Sequence, residues 1–297
     1  MKGSVNASHL KPGFYWKPLF AVVVWGFSFI AIKYALEEIK PATIVFIRQL
    51  LGIAFLGAIA IKQKSGFAIA KKDFRWVLLL GLITSLHLWI QVTGLQYTSA
   101  SNTGWIIGIT PVFMTIAGFL FFKEKAGLSQ IAGIALSFFG LLLLVGKGDF
   151  STIDIIKNKG DLLIITSSLT WAIYSIAAKK AAMSFSPLMA TFYLFVVMAL
   201  VTAPFTINGE DISRVINLSS KAWLAILFLG IFCSGVGYYI WAQTLKEMSA
   251  SQAGAFLYLE PFVTFFSAAL LLNEHLSLIT FISGIIIITG VILVNRK

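Results

Sequence analysis

Long apolar stretches of about twenty residues recur along the chain and are separated by short polar segments. A helix of this length crosses a hydrocarbon core of ~30 Å, and in lipid only helices and closed barrels satisfy their own backbone hydrogen bonds. Ten-residue segments of alternating polarity, which are typical of a barrel, are absent. The pattern predicts ten transmembrane helices, at about residues 18–36, 42–61, 75–94, 99–122, 127–146, 161–180, 187–206, 222–244, 251–272 and 277–295.

Composition indicates the same class of protein. Hydrophobic residues make up 58% of the chain and charged residues 12%, whereas soluble domains contain roughly 25% charged residues. The mean hydropathy is +0.90. The single cysteine, Cys233, lies inside an apolar stretch, so it excludes an intrachain disulfide and a cysteine cluster for metal. We therefore predict an all-α polytopic membrane protein without a metal or cofactor.

An internal repeat divides the chain. Residues 99–124 (SASNTGWIIGITPVFMTIAGFLFFKE) align with residues 249–274 (SASQAGAFLYLEPFVTFFSAALLLNE) at an offset of 150, with seven identities in 26 positions and no gap. At an offset of 146, Trp25, Lys33 and Pro41 match Trp171, Lys179 and Pro187. The two stretches share their first three residues, a proline and a final glutamate at the same spacing, which indicates that the chain consists of two related halves.

Five helices in each half is an odd number, so the second half must enter the membrane in the opposite sense. The fold class expected is thus ten transmembrane helices as two inverted five-helix repeats, an arrangement that suits two alternating conformations around one central site. The expected divisions are a cytoplasmic tail over 1–17, a first repeat over 18–146, an external linker over 147–160 and a second repeat over 161–295.

The basic residues predict the orientation. With the N-terminus in the cytoplasm, fifteen of the 23 Lys and Arg residues fall inside, seven fall outside, and Arg48 lies in the membrane. This asymmetry favours cytoplasmic positions for both termini of a multi-pass protein in a cell (inner or plasma) membrane. Because the basic residues sit at helix ends rather than in one patch, the net charge of +11 does not indicate nucleic-acid binding.

The order of spans and motifs resembles a known family. The paired endings Thr110–Glu124 and Leu259–Glu274, together with Trp25-Gly26 and Phe46-Ile47-Arg48, are similar to the two EamA-type domains of the drug/metabolite transporter superfamily. The likeness covers roughly residues 18–294. It implies a secondary transporter, often an exporter of amino acids or other small metabolites, but it does not name the solute.

An enzyme is not expected. The stretch Gly140–Lys147 has five apolar residues between its glycines, where a phosphate-binding loop has four. No His-Glu-x-x-His or Gly-x-Ser-x-Gly motif occurs. No loop is long enough to form a nucleotide-binding domain.

Candidate binding residues are polar and aromatic side chains at bilayer depth, where they are costly to bury and usually face an interior cavity. Thr84, His87 and Gln91 share one helical face, and Ser234, Gly237 and Trp241 repeat that spacing. Each such residue can instead serve in helix packing. The substrate-binding candidates are Trp25, Ser28, Thr84, His87, Gln91, Asn102, Trp105, Trp171, Tyr174, Tyr238, Trp241 and Tyr258.

Glu260 and Arg48 are the candidates for coupling. Glu260 lies about nine residues into its predicted helix, where an ionised carboxylate is costly and a proton would neutralise it. It can therefore carry a proton across the membrane, form a permanent ion pair with Arg48, or support the helix kink beside Pro261.

The sequence thus favours a secondary active transporter, in the exporting direction, for small metabolites such as amino acids or amphipathic organic compounds. Its expected partners are the small-molecule substrate, the lipid bilayer and protons, with no nucleic acid. The alternative is a passive channel or a membrane scaffold that transports nothing. The oligomeric state is not predicted.

Overall fold

The computed structural model describes residues 15–124, 127–146, 149, 158–181, 186–206, 209–272 and 278–296. Most of the predicted tail 1–17, most of the predicted linker 147–160, and Glu274 lie outside these residues.

The first half contains α1 (Trp16–Leu36), α2 (Pro41–Lys62), α3 (Lys71–Tyr97), α4 (Ala100–Ile107), α5 (Thr110–Phe122) and α6 (Leu128–Val145). The second half contains α7 (Lys159–Ala181), α8 (Pro187–Thr202), α9 (Gly209–Ile216), α10 (Ser220–Leu227), α11 (Tyr239–Glu247), α12 (Ala250–Phe256), α13 (Leu259–Leu272) and α14 (Leu278–Asn295). A short 3₁₀ turn, Ala203–Phe205, follows α8, and a π-helical segment, Phe228–Tyr238, joins α10 to α11.

The described residues contain nine helical stretches that are long and apolar enough to cross a membrane, and a tenth apolar helix, over Leu128–Leu144, is shorter. Regular β-structure is absent from the described ranges. The prediction of an all-α, multi-pass membrane protein with ten spans is confirmed. The short amphipathic helix α9 was not predicted.

The fourth and ninth spans are each broken, although the sequence pattern predicts continuous helices there. The breaks fall at 108–109 and 257–258, just before Pro111 and Pro261. A proline ring clashes with the carbonyl four residues earlier, here on Ile107 and Leu257. The chain closes each break with tighter bonds, such as Gly108 N–H to Trp105 O at 3.0 Å.

Helix packing relates the two halves by a pseudo-two-fold axis. Helix α6 packs against α14 and α2 packs against α8, so equivalent helices meet across the axis. The contact between α3 and α7 has its equivalent in the contact between the π-helical segment and α1. In the same way, the contact between α1 and α13 has its equivalent in the contact between α7 and α5. The prediction of two inverted repeats is therefore confirmed.

Two equivalent lysines cap the ends of equivalent helices. Lys33 Nζ donates to Leu95 O at 2.7 Å near the end of α3, and Lys179 Nζ donates to Leu245 O at 3.1 Å near the end of α11. A cation at a helix C-terminus satisfies free carbonyls and the helix dipole. The repeat therefore holds its third span to its first in the same way in both halves.

Glu124 has a structural role. Its carboxylate accepts from the backbone N–H groups of Ala250 at 2.7 Å and Ser251 at 3.2 Å, and from the Ser251 hydroxyl at 2.7 Å. These contacts tie the end of α5 to the start of α12. A Cβ added to Gly118 would lie 2.7 Å from Glu124 Oε2, so that glycine makes room for the tie between the halves.

At the opposite end of the protein, Glu38 links the halves. Its carboxylate accepts from the backbone N–H of Ser219 at 2.9 Å and from the Ser219 hydroxyl. These two hydrogen bonds lower the pKa of Glu38 from its ordinary value of 4.5, and the bond from the hydroxyl has the larger effect. Because the folded-state pKa is lowered, this contact stabilises the fold fully above pH 4.5 and is lost as the pH falls through the lowered pKa.

We expect Glu38→Gln to reduce the melting temperature slightly at pH 7, since Glu38 is partly exposed and a neutral amide makes weaker hydrogen bonds. The difference from the wild-type protein should shrink at pH values below the lowered pKa. Thermal melts in detergent between pH 3 and pH 8 measure it, with the exposed Glu247→Gln as control. A difference that does not change with pH would show that it does not come from the carboxylate.

Candidate functional site

A cavity lies where the broken helices of the two halves meet. Ile107 and Thr110 flank the break in the fourth span, Leu257 and Glu260 flank the break in the ninth, and all four line the cavity. Its volume is about 40 Å³, room for roughly three water molecules. The cavity is therefore small in this conformation. The residues that line it are Trp25, Ser28, Phe29, Arg48, His87, Leu88, Gln91, Ile107, Thr110, Ser168, Trp171, Tyr238, Leu257 and Glu260.

Aromatic rings from both halves form one wall. Trp25 and Trp171 are equivalent positions of the repeat, and their rings meet edge to face with centroids 5.1 Å apart. Tyr238 contacts Trp25 at 5.9 Å and Trp171 at 5.3 Å. Edge-to-face pairs at these distances are favourable, so the wall is a packed cluster rather than a set of independent rings.

The π-helical segment positions this wall. Trp25 Nε1 donates to the carbonyl of Cys233 at 3.0 Å, and a Cβ added to Gly237 would lie 2.8 Å from the same nitrogen. The glycine thus allows Trp25 to approach the backbone. π-helical segments are rare and are often found at functional sites.

His87 has a defined hydrogen-bonding arrangement. Its Nδ1 lies 2.9 Å from Ser167 O, and because a carbonyl only accepts, Nδ1 carries a proton. In the neutral ring Nε2 is then an acceptor, and this atom has no partner among the described residues. The ring packs against Trp171 with centroids 5.0 Å apart. His87 therefore both packs and offers an acceptor, the two roles that the sequence left open.

Arg48 and Glu260 bring opposite charges to the cavity. Arg48 is 2% exposed and Glu260 is 5% exposed. Arg48 Nε donates to Ser234 Oγ at 2.9 Å. Within the described part of the chain, the ion pairs are Lys40–Asp211 and Arg214–Glu210, so Arg48 and Glu260 do not pair directly. The alternative of a permanent ion pair between them is wrong for this conformation.

Eight of the fourteen predicted residues line the cavity, and six do not. Thr84 turns its hydroxyl back to Leu80 O at 2.7 Å. Tyr174 and Trp241 lie behind Trp171, with centroids 5.1 Å and 5.9 Å away. Tyr258 is fully buried, and its hydroxyl has no partner among the described residues. These four lie among packed helices because helical spacing gives a residue's face but not what packs on it.

Asn102 and Trp105 lie in a different place. Both line a wide depression of about 590 Å³ at the ends of α1 and α3 and the start of α4, on the predicted external face. Asn102 Nδ2 donates to Asp161 Oδ1 at 2.6 Å and to Thr98 Oγ1 at 2.9 Å. Trp105 packs on Phe265 with centroids 3.9 Å apart. Neither residue reaches the central cavity.

The sequence analysis missed six residues of the lining: Phe29, Leu88, Ile107, Thr110, Ser168 and Leu257. Two signals point to some of them. Thr110 is the repeat equivalent of Glu260, and Ile107 and Leu257 are the residues that the two prolines displace. Phe29 and Leu88 resemble any other apolar residue of a span, so no sequence signal separates them from residues that face lipid.

The chain matches known proteins over nearly its whole length. The model of the EamA-like transporter family matches residues 15–146 and 158–296. An uncharacterized transporter of Archaeoglobus fulgidus is 31% identical over 93% of this chain and 95% of its own. A protein of Escherichia coli (strain K12) named as a probable amino-acid metabolite efflux pump is 28% identical over 92% of this chain and 91% of its own.

The fold has also been seen before. One solved crystal structure superimposes with a TM-score of 0.75, covers 96% of this chain and 98% of its own, and is 17% identical in sequence. At that identity the likeness concerns the fold alone. From the family match over both halves, together with the inverted arrangement of the spans, we conclude that this chain belongs to the EamA-like transporter family.

Proposed function

We propose that this membrane transporter is a secondary active exporter of small metabolites, such as amino acids or amphipathic organic compounds, which reach the central cavity from alternate sides. The observation that carries the proposal is the cavity itself, where buried charged, polar and aromatic side chains from both halves converge at two broken helices. Such side chains are costly at bilayer depth and typically mark a substrate or ion pathway. Discontinuous helices at the interface of inverted repeats form the substrate sites of several transporter folds.

The two ends of the protein support alternating access. On the predicted external face, the depression at α3 and α4 is wide, while at the opposite end Glu124 ties α5 to α12. Glu38 ties the halves at the external end as well, so alternating access would release one tie at a time. Because the halves are inverted copies, exchanging their conformations would reverse the two ends. We infer from the distribution of the basic residues that both termini are cytoplasmic, that the membrane is a cell membrane, and that residues 147–160 lie outside.

The name of the Escherichia coli relative, which refers to amino-acid metabolites, supports this class of substrate. Counterflow in proteoliposomes tests transport directly. Vesicles loaded with an unlabelled amino acid and diluted into the labelled compound should accumulate label transiently. A passive channel equilibrates the label without accumulating it, and a scaffold admits none. Failure of all twenty amino acids and of a panel of amphipathic amines to exchange would contradict the proposal.

Trp171→Ala should weaken binding of an aromatic amino acid by about 1–3 kcal/mol, because it removes a large apolar surface and a ring that can face a cation. Trp171→Phe should weaken binding less, since it keeps a ring in the cluster. Titration calorimetry of the purified proteins measures the affinity. Trp16→Ala is the control, because Trp16 is 55% exposed and lies at the first residue of α1, outside the residues that line the cavity. Equal affinities for the wild-type and folded Trp171→Ala proteins would make Trp171 a packing residue.

Glu260→Gln should abolish transport driven by a pH gradient while preserving exchange of substrate, because glutamine keeps the shape but cannot take up a proton. The structure favours this role over an ion pair, since no cation contacts Glu260 among the described residues. The charged or titratable groups around the cavity are Arg48, His87, Cys233 and Tyr238. Uptake into vesicles with and without an imposed gradient measures both activities.

Thr110→Val is the matched control, since it changes the equivalent position of the other half and has no titratable group. It should leave the response to the gradient intact. Gradient-driven uptake at the wild-type rate in Glu260→Gln vesicles would exclude the proton role. If Glu260→Gln instead lost stability and recovered it when Arg48 was also neutralised, an ion pair would be indicated.

A further inference from the structure

Arg48 is a buried arginine with unused hydrogen-bond donors. An arginine side chain carries five N–H donors. Its Nε is bound to Ser234 Oγ at 2.9 Å, and no other hydrogen bond reaches the guanidinium from any described residue. The two terminal nitrogens, with four N–H groups, therefore have no acceptor among the residues that the structure describes.

These donors adjoin the central cavity. Arg48 is 2% exposed and lines the cavity together with Glu260, His87 and Gln91. Of the carboxylates that the structure describes, none lies within 4.0 Å of a guanidinium nitrogen of Arg48. A buried charge without a partner is among the most costly groups that a protein can contain. A group that enters the cavity can supply the missing acceptor.

The hydrogen bond to Ser234 orients the guanidinium. Ser234 lies in the π segment, which also positions the carbonyl of Cys233 for Trp25. With Nε held by Ser234, the fork of terminal nitrogens remains available on the other side of the planar group. A carboxylate matches this fork with two parallel hydrogen bonds.

The charge of Glu260 restricts the anion. When Glu260 is ionised, a doubly charged phosphate in the same small cavity meets repulsion, whereas a single carboxylate with a nearby ammonium leaves the site neutral. When Glu260 is protonated, Arg48 is the remaining charge, and one carboxylate neutralises it. In both states the terminal nitrogens of Arg48 need an acceptor.

We propose that Arg48 binds the carboxylate of the transported metabolite, with Ser234 as the residue that positions its guanidinium. The proposal rests on the proposed function and deepens it, because it assigns the substrates to small organic carboxylates, amino acids included. The cluster of Trp25, Trp171 and Tyr238 then faces the rest of the molecule.

Matched probes with and without a carboxylate test the proposal on the full-length protein. L-Phenylalanine and L-phenylalaninamide share a side chain and an ammonium group, and so do the acids and amides of the other nineteen amino acids. The wild-type protein should bind at least one acid about 10- to 100-fold more tightly than its amide, the range for a hydrogen-bonded pair of charged groups. Calorimetry in detergent measures both affinities.

Variants of Arg48 test whether this residue causes the preference for the acid over the amide. Arg48→Gln should bind the acid and the amide equally, because the fork and its charge are gone. Arg48→Lys should keep a part of the preference, since an ammonium attracts a carboxylate as a point charge without the fork. Arg75→Gln is the control and should keep the full preference, because Arg75 is exposed at the start of α3.

A wild-type protein that binds no acid better than its amide would overturn the proposal, and so would a preference that survives in Arg48→Gln. If Arg48→Gln does not fold, the affinities of the wild-type and Arg48→Lys proteins for the acid and the amide decide whether the proposal stands. Counterflow separates this proposal from the proposed function. Exchange of amides as fast as acids would refute the role of Arg48 and leave transport standing, whereas exchange of neither would refute transport.

Discussion

The absence of water from the hydrocarbon core is the constraint on which the rest of this structure depends. Every backbone N–H and C=O group at bilayer depth must find a partner within the protein, so the chain is helical almost throughout. Helical regularity is then lost only where neighbouring protein compensates for it. Among the described residues it is lost in the middle of three spans, at 108–109, at 257–258 and over Phe228–Tyr238, and residues beside or within all three irregular segments line the central cavity.

Each irregular segment is compensated in its own way. The two broken spans close with short-range backbone bonds, such as Tyr258 N–H to Ala255 O at 3.2 Å. The π segment offers the carbonyl of Cys233 to Trp25 and the hydroxyl of Ser234 to Arg48. Irregular backbone and polar side chains therefore occur together, because each supplies hydrogen-bonding groups that the other needs. This is a physical reason for a polar site to form here and not along a regular helix.

The helices follow the pseudo-two-fold symmetry, whereas the charged side chains that line the cavity depart from it. Lys33 and Lys179, Trp25 and Trp171, and Pro111 and Pro261 keep equivalent places. Against this symmetry, Thr110 stands opposite Glu260, and the regular helix α3 stands opposite the π segment. The charges that line the cavity come from single halves, since Arg48 and Glu260 have no charged equivalents. Because the helices are arranged symmetrically and the cavity lining is not, the same binding site can be exposed to either side of the membrane.

The sequence alone determined the class of protein, the number of spans and the inverted repeat, because the hydrocarbon core fixes helix length and a repeat is visible without coordinates. It also identified Trp25, His87, Gln91, Arg48 and Glu260 as interior residues, since polar groups are costly in lipid. Only the tertiary structure separated Arg48 from Glu260, moved Asn102 and Trp105 to the outer depression and formed the π segment. Those outcomes depend on which side chains of other helices fill the same space, and the periodicity of one helix contains no information about its neighbours.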